Sequence, residues 1–383
     1  MIQITNSVQC NGCSACYSIC PQNCIDMQRD GEGFRYPLVD QSRCIECGMC
    51  EAVCPLLHEQ LILNDPVAFA CQNLDETIRL NSSSGGIFSL IASEIIRQGG
   101  IVFGAVFDPA FSVIHESTES IDDLDRFRGS KYVQSQIGDS FLEVKAVLDQ
   151  GRPVLFSGTP CQIGGLKSFL NGNDQNLFCI DIICHGVPSP AVWERYVTYR
   201  QHQAKSTAQR IAFRRKNDGW KRYSVSFQFE KNTEYRATLD KDPYMRAFLK
   251  DICLRPSCHD CGFKSLHRQS DITLADFWGI QNILPHLDDD KGTSLIFVNS
   301  ESGQTMFAQI KDQMNYQKVD INEAVKYNSA ATKSAKANPN REKFMAALDS
   351  VPFDQMVGKY CIDKMSVRMK RKIRLVIKRL IQL

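Results

Sequence analysis

Cys10, Cys13, Cys16 and Cys20 followed by Pro21, then Cys44, Cys47, Cys50 and Cys54 followed by Pro55, repeat one spacing within the first 55 residues. This C-x2-C-x2-C-x3-C-P pattern holds cubane iron–sulfur clusters: three thiolates from a short loop take three corners of one cube, and the fourth crosses to its neighbour. The expected ligand sets are therefore Cys10, Cys13, Cys16 and Cys54 for one [4Fe-4S] cluster, and Cys44, Cys47, Cys50 and Cys20 for the other. Structural zinc draws on two separated Cys pairs or on His, which a third close Cys does not match. A disulfide framework needs an oxidising compartment, and no basic-then-apolar leader precedes Cys10. Cys24, close behind Cys20, reads as a small packed residue.

Cys71, Cys161, Cys179, Cys184, Cys253, Cys258, Cys261 and Cys361 lie outside this module. Cys71 and Cys179 fall within apolar runs and read as core. Cys258 and Cys261 form a chelating pair, and Cys161 and Cys184 stand at the ends of apolar runs. The four could close on a third cluster, with Cys253 in reserve. On spacing alone, one C-x2-C pair is equally a zinc half-site or a redox dithiol. Three stretches offer small residues where a strand gives way to a helix: Asn81 to Gly86, Ser157 to Gln162, and Cys184 to Pro190. Such turns present backbone N–H groups and the positive end of a helix to an anion. They lack the full dinucleotide fingerprint and the P-loop Lys-Ser/Thr pair. His185 is the nearest thing to a proton donor, against the plainer reading of a helix cap. Asp271 and Asp276 flank a strand and suit backbone amides of a turn.

The elements that must position these residues read as follows. Val67–Cys71, Ile101–Phe107, Pro153–Phe156 and Leu177–Ile183 are buried strands, and Ile87, Leu90, Ile91 and Ile95 mark an amphipathic helix. Helices follow the turns at 157–162 and 184–190. Tyr223 to Glu230 alternates strictly and pairs, across a turn at Lys231-Asn232, with a strand running through Leu239. Asp271 to Gly279 and Ser294 to Val298 complete the strands. The fold class expected is α+β: a mixed α/β core with strand–turn–helix units whose strand ends line one crevice, an antiparallel portion, and a small bacterial-ferredoxin-like N-terminal module.

Several segments, taken together, resemble a known family: S-S-S-G-G-I-F-S (82–89), G-S-K-Y-V-Q-S (129–135), G-T-P-C-Q (158–162), C-H-G-V-P-S (184–189), R-P-S-C-H-D-C-G-F (255–263) and D-I-T-L-A-D-F-W-G (271–279). They look like the beta subunit of coenzyme F420 hydrogenase/dehydrogenase over about residues 67–300, in the branch found beside bacterial surface-polysaccharide genes. The resemblance implies an FAD- and [4Fe-4S]-dependent oxidoreductase. It implies that Cys161, Cys184, Cys258 and Cys261 hold a core cluster, and that Ser84, Gly85, Gly86, Lys131, Gly158 and Thr159 cradle FAD; Ser83 and Gln162 beside them are counted with the cradle, and His185 is taken as the catalytic residue. Thiolates suit a soft metal, and backbone amides with a cation suit a pyrophosphate. The rival readings are a relay subunit of a larger complex and a non-catalytic scaffold in polysaccharide assembly.

With 383 residues there is room for several domains. The expected division is a two-cluster module over 1–62, a flavin and iron–sulfur core over 63–348, and a C-terminal segment over 349–383. The net charge of +2 is uneven: from Lys364 onward there are eight Lys or Arg and no acid, leaving 37 basic against 43 acidic residues before it, a net of −6. In that tail Met365, Met369, Ile373, Val376, Leu380 and Leu383 share one helical face ringed by cations. This suits the inner face of an anionic membrane; a helix packing on the body or a partner is the alternative. The expected setting is the cytoplasm. Expected partners are an electron donor such as ferredoxin or a reductase and a small-molecule or glycan-precursor substrate, with nucleic acid not among them.

Overall fold

The computed structural model describes residues 1–58 and 61–362; the cationic face expected in the tail lies outside them. In the N-terminal module, strands β1 (Ile25–Arg29) and β2 (Arg35–Val39) form an antiparallel hairpin with Ile25 opposite Val39. The body contains β3 (Val67–Asn73), β4 (Ile101–Phe107), β5 (Val113–Thr118), β6 (Val154–Ser157) and β7 (Leu177–Ile182). It continues with β8 (Ala208–Arg215), β9 (Ser224–Phe229), β10 (Glu234–Thr238), β11 (Ile272–Asp276), β12 (Ser294–Val298) and β13 (Met314–Val319).

One large sheet takes the order β13-β3-β12-β11-β7-β6-β4-β5, with β4, β6, β7 and β11 parallel and the outer pairings antiparallel. Its central strands are near-continuous apolar runs because both faces are covered. On one face the Ile87–Arg97 helix buries Ile87, Leu90, Ile91 and Ile95 against Val102, Leu155, Ile180 and Ile296. On the other, the Pro160–Leu170 helix buries Ile163, Leu166 and Phe169 with Phe103 and Phe156. That second layer also contains Cys13, Ala15 and Cys16, so the module and the body share one apolar core.

The sheet order alters one expectation. β12 and β11 stand between β3 and β7, so the turn after β3 lies well along the sheet from the turns after β6 and β7. The cause is the antiparallel β12, which pairs with β3 along its length and which strand–turn–helix logic does not anticipate.

A second, antiparallel sheet of β8, β9 and β10 packs against an aromatic core of Trp193, Tyr196, Phe213, Phe227 and Tyr244. Phe353, Met356 and Val357 from the Phe353–Tyr360 helix belong to the same core. Among the described residues, no helix is long and apolar enough to cross a membrane.

Candidate redox site

Three cavities are ringed by cysteines in the groupings read from spacing and motif. Cys10, Cys13, Cys16 and Cys54 line one, which we call proximal. Cys20, Cys44, Cys47 and Cys50 line a second, distal one. Cys161, Cys184, Cys258 and Cys261 line the third, in the body. Locally, each module loop turns through a residue in the left-handed region, Ser14 (φ 68°) and Gly48 (φ 75°), into a four-residue helix. The body's cage is built by the ends of β6 and β7 and by the turn after Arg255. Cys253 is absent from its lining and sits, fully buried, in the aromatic core with Cys361. Cys24 is buried as expected, yet it lines the distal cavity with its sulfur 3.3 Å from that of Cys20.

These cavities suit a cubane. Among the described residues, no three His, Cys, Asp or Glu side chains converge on a point where one ion would sit; the sulfurs surround a space instead, unlike the tight tetrahedron of structural zinc. Hydrogen bonds already aim at sulfur, from Ile2 N to Cys50 Sγ at 3.2 Å and from Val187 N to Cys258 Sγ at 3.4 Å. Such bonds favour the thiolate. Burial pushes the Cys16 and Cys258 thiols up to about 12, so an electrophilic metal must displace their protons as it binds. Asn11 and Leu56 line both the proximal and the body cavity, and Asn11 Nδ2 is a buried donor without a partner. The two cages are therefore neighbours separated by shared side chains.

His185 also lines the body's cavity. Its Nε2 meets Asp251 Oδ1 at 2.5 Å, and its ring stands edge-on to Phe248. Phe248 stacks on Tyr132, whose ring meets Phe213. Phe213 lines a cleft of about 730 Å³ between the loop at 125–131 and β8. A row of rings thus connects the body's cage to the cleft.

The cleft is basic, with Arg126, Arg128, Lys131, Arg210, Arg214, Arg215 and Lys216 on its walls. Arg126 pairs with Glu116 and Arg128 with Asp125. Arg214 forms a buried pair with Asp276 at 2.7 Å and lies over Tyr223. Arg210 and Arg215 have no hydrogen-bond or ion-pair partner among the described residues, so they are the cations open to an anionic ligand. A site of this size with several convergent polar groups suits a cofactor.

The residues expected to cradle FAD divide between places. Ser83 and Lys131 line the cleft, with Ser83 Oγ accepting from Ser130 N at 2.6 Å. The three Lys131 ammonium protons go to the carbonyls of Arg126, Phe127 and Arg128, and burial brings its pKa down to about 7. Lys131 therefore fastens the loop. Ser84 Oγ donates to Thr293 O at 2.9 Å, and the Gly85 amide donates to Ser294 Oγ at 2.9 Å, because that turn packs on β12. Gly86 is buried at the start of the 87–97 helix. Gly158, Thr159 and Gln162 stand beside the body's cage. Gln162 closes a capping box with Thr159 and bonds Ser135 Oγ at 2.9 Å. Asp271 holds a backbone amide as read, Cys179 N at 2.7 Å, whereas Asp276 takes Arg214 and the Trp220 indole N–H.

Sequence reasoning passed over Arg210, Arg215 and Arg128. Their signal was present in Arg210-Ile-Ala-Phe-Arg-Arg-Lys216 and Arg126-Phe-Arg128, but cations in a strand read equally well as a solvated face.

Comparison with known proteins covers both parts of the chain. Residues 151–324 match the family model for the C terminus of the coenzyme F420 hydrogenase/dehydrogenase beta subunit, and residues 9–56 match the 4Fe-4S dicluster domain. The F subunit of the F(420)H(2) dehydrogenase of Methanosarcina mazei is 24% identical over 193 residues, 46% of this chain; the chain spans about half of that relative's length, 53%. "Ferredoxin 7Fe" of Hydrogenibacillus schlegelii is 35% identical over 65 residues, 16% of this chain and 77% of its own length. The I subunit of the NADH-quinone oxidoreductase of Pelobacter propionicus is 39% identical over 57 residues, 12% and 30% of the respective chains. Among solved structures, a chain of the F420-reducing [NiFe] hydrogenase complex from Methanosarcina barkeri aligns with a TM-score of 0.47 at 15% identity, covering 78% of this chain and 91% of that one. The dicluster match gives the chain a [4Fe-4S]-binding module over residues 9–56. Residues 151–324 are thus the C-terminal region of the coenzyme F420 hydrogenase/dehydrogenase beta subunit family, with a 4Fe-4S dicluster domain ahead of it in the chain.

Proposed function

We propose that the chain is an iron–sulfur flavoprotein oxidoreductase. In this reading it takes electrons at the dicluster module, passes them through a third cluster held by Cys161, Cys184, Cys258 and Cys261, and delivers them to an organic substrate at FAD in the basic cleft. The observation that carries the reading is the sequence of sites: the proximal and body cavities share Asn11 and Leu56, and the ring row from His185 to Phe213 continues to the cleft. Clusters supply single-electron transfer and a flavin couples it to hydride exchange.

The chain's own residues do the rest. Arg210 and Arg215 meet the cofactor's phosphates, and Ser83 and Ser130 hold the loop beside them. Arg214, fixed by Asp276 and Tyr132, forms a neutral, rigid ion pair in the cleft floor and leaves the net charge to Arg210 and Arg215. Asp251 orients His185 at the edge of the body's cage, outside the lining of the cleft, so it is not placed to act as a catalytic acid at a flavin there. The substrate is a hydride donor or acceptor, and coenzyme F420, named in the Methanosarcina mazei relative, is the first to try.

Anaerobic purification with iron, sulfide and flavin counting tests this. About twelve irons and one flavin per chain are expected from three cubanes and one FAD. Eight irons would remove the third cluster, and a brown protein without flavin would remove the cleft assignment. Turnover of a small molecule by the isolated, loaded chain separates an enzyme from a relay protein.

A further inference from the structure

Arg255 is fully buried, with a relative exposure of 0%. Its Nε donates to Cys10 O at 2.8 Å, its Nη1 to Gln134 Oε1 at 2.9 Å, and its Nη2 to Arg35 O at 3.0 Å. The guanidinium lies over the rings of Tyr36, 4.2 Å from the centroid, and Phe34, at 5.3 Å. Room is kept for it at Gly12, which has φ +73° and where a Cβ would fall 2.9 Å from Arg255 Nη1. None of these bonding and stacking partners is charged; the Asp30 carboxylate feels Arg255 only through space, without a hydrogen bond or ion pair to it. Burying a cation against neutral dipoles alone is costly, and proteins do it where an anion completes the site.

The candidate anions lie on either side. Arg255 binds the carbonyl of Cys10, in the proximal cage, and stands three residues before Cys258, in the body's cage; both sulfurs lie within its field. A cubane with four thiolates is anionic, and reduction adds a further negative charge. The distal cavity offers a contrast. No Lys or Arg side chain lines it; the Met1 ammonium does, but it is paired with Glu51 at 3.2 Å, Glu46 lines the cavity as well, and Cys47 is exposed to solvent.

We propose that Arg255 is the counter-ion shared by the proximal and body clusters, and that it holds both at higher potential than the distal cluster. Electrons admitted at the distal end then settle inward, toward the cleft. This rests on the reading that Cys161, Cys184, Cys258 and Cys261 hold a cluster.

The test is a redox titration of the full, anaerobically purified chain followed by electron paramagnetic resonance, after iron counting has fixed the number of clusters. Arg255→Gln lowers two of the three potentials, each by at least tenfold in its one-electron equilibrium constant, about 59 mV, and leaves the third in place. Arg255→Lys, which keeps the charge, stays much closer to the unaltered chain. If Arg255→Gln fails to load, Gln134→Glu decides, since a carboxylate on Arg255 neutralises it without lining any of the three cavities; the same two potentials must fall. Potentials that stay put, or three that move alike, overturn the proposal. A wild-type chain with only eight irons overturns the third cluster instead, and one of the two remaining potentials must still respond to Arg255→Gln.

Discussion

The distal cage draws Cys20, Cys44, Cys47 and Cys50 from one short stretch of chain, whereas the body's cage draws its thiols from three loops between Cys161 and Cys261. The first needs only one loop and the β1–β2 hairpin that returns Cys20 to it. The second exists only after the sheet has set the ends of β6 and β7 side by side and the segment from Arg255 has folded over them. Similar soft-ligand chemistry thus appears once as a local motif and once as a product of tertiary structure. The proximal cage stands between the two: its ligands are local, but Cys13 and Cys16 are packed into the body's core.

The largest expected effect separates the cages. Cys258→Ser should remove one cluster, about four of twelve irons, and leave the two module signals intact. Cys47→Ser, at an exposed distal ligand, should alter only the distal signal. Iron and sulfide counting with electron paramagnetic resonance reads both. A Cys258→Ser chain that keeps all its iron would mean that the body's cage is not a metal site.

A smaller effect probes the seam between module and body. A Cβ on Gly165, in the Pro160–Leu170 helix, would fall 2.8 Å from Cys13 Cβ and 2.9 Å from its sulfur. Both neighbours are held, one by a helix and one by a cage. Gly165→Ala should therefore cost about 1–3 kcal/mol of overpacking and disturb the proximal signal more than the distal one. Anaerobic denaturant midpoints and spectra check this; unchanged values of both would show that the seam is looser than the shared core implies.

The same contrast explains what could be read from the sequence. The module was legible because three close thiolates and a fourth followed by Pro leave little else to build. Most strands that were read came out to within a residue or two, for example Ile101–Phe107 and Ser294–Val298, because strands covered on both faces are apolar without interruption; β5, β8 and β13, which mix polar and apolar residues, were not read at all. The antiparallel β12 between β3 and β11 was not legible, since pairing order has no local signature. With it went the idea that Ser84-Gly85-Gly86 faces the same crevice as Gly158-Thr159. Lys131 misled for a related reason: its position in the cleft was right, but three carbonyls claim its ammonium, and those belong to the fold of its own loop. Arg255 was quoted only as part of a motif, because nothing in R-P-S-C says that its guanidinium is buried without a hydrogen-bonded acid.

The cleft differs from the cages in that protons help set its charge. Burial lowers both Lys131 and Lys216, the latter bonded to the carbonyls of Arg79, Ser84 and Lys291, to about 7. An ammonium is the protonated form, so a lowered pKa means that both charges are present below about pH 7 and lost as pH rises through it. Under the proposed function an FAD pyrophosphate would be the anion drawn to this cleft, so its affinity should fall with rising pH while the arginines hold a constant remainder. Two charges at partly wet positions predict a loss of about threefold to tenfold between pH 6 and pH 8. Fluorescence quenching of FAD by flavin-stripped protein measures it, and Lys216→Met should flatten the slope without abolishing binding, because Arg210 and Arg215 do not titrate in this range. A slope of the opposite sign would place the phosphates away from these lysines.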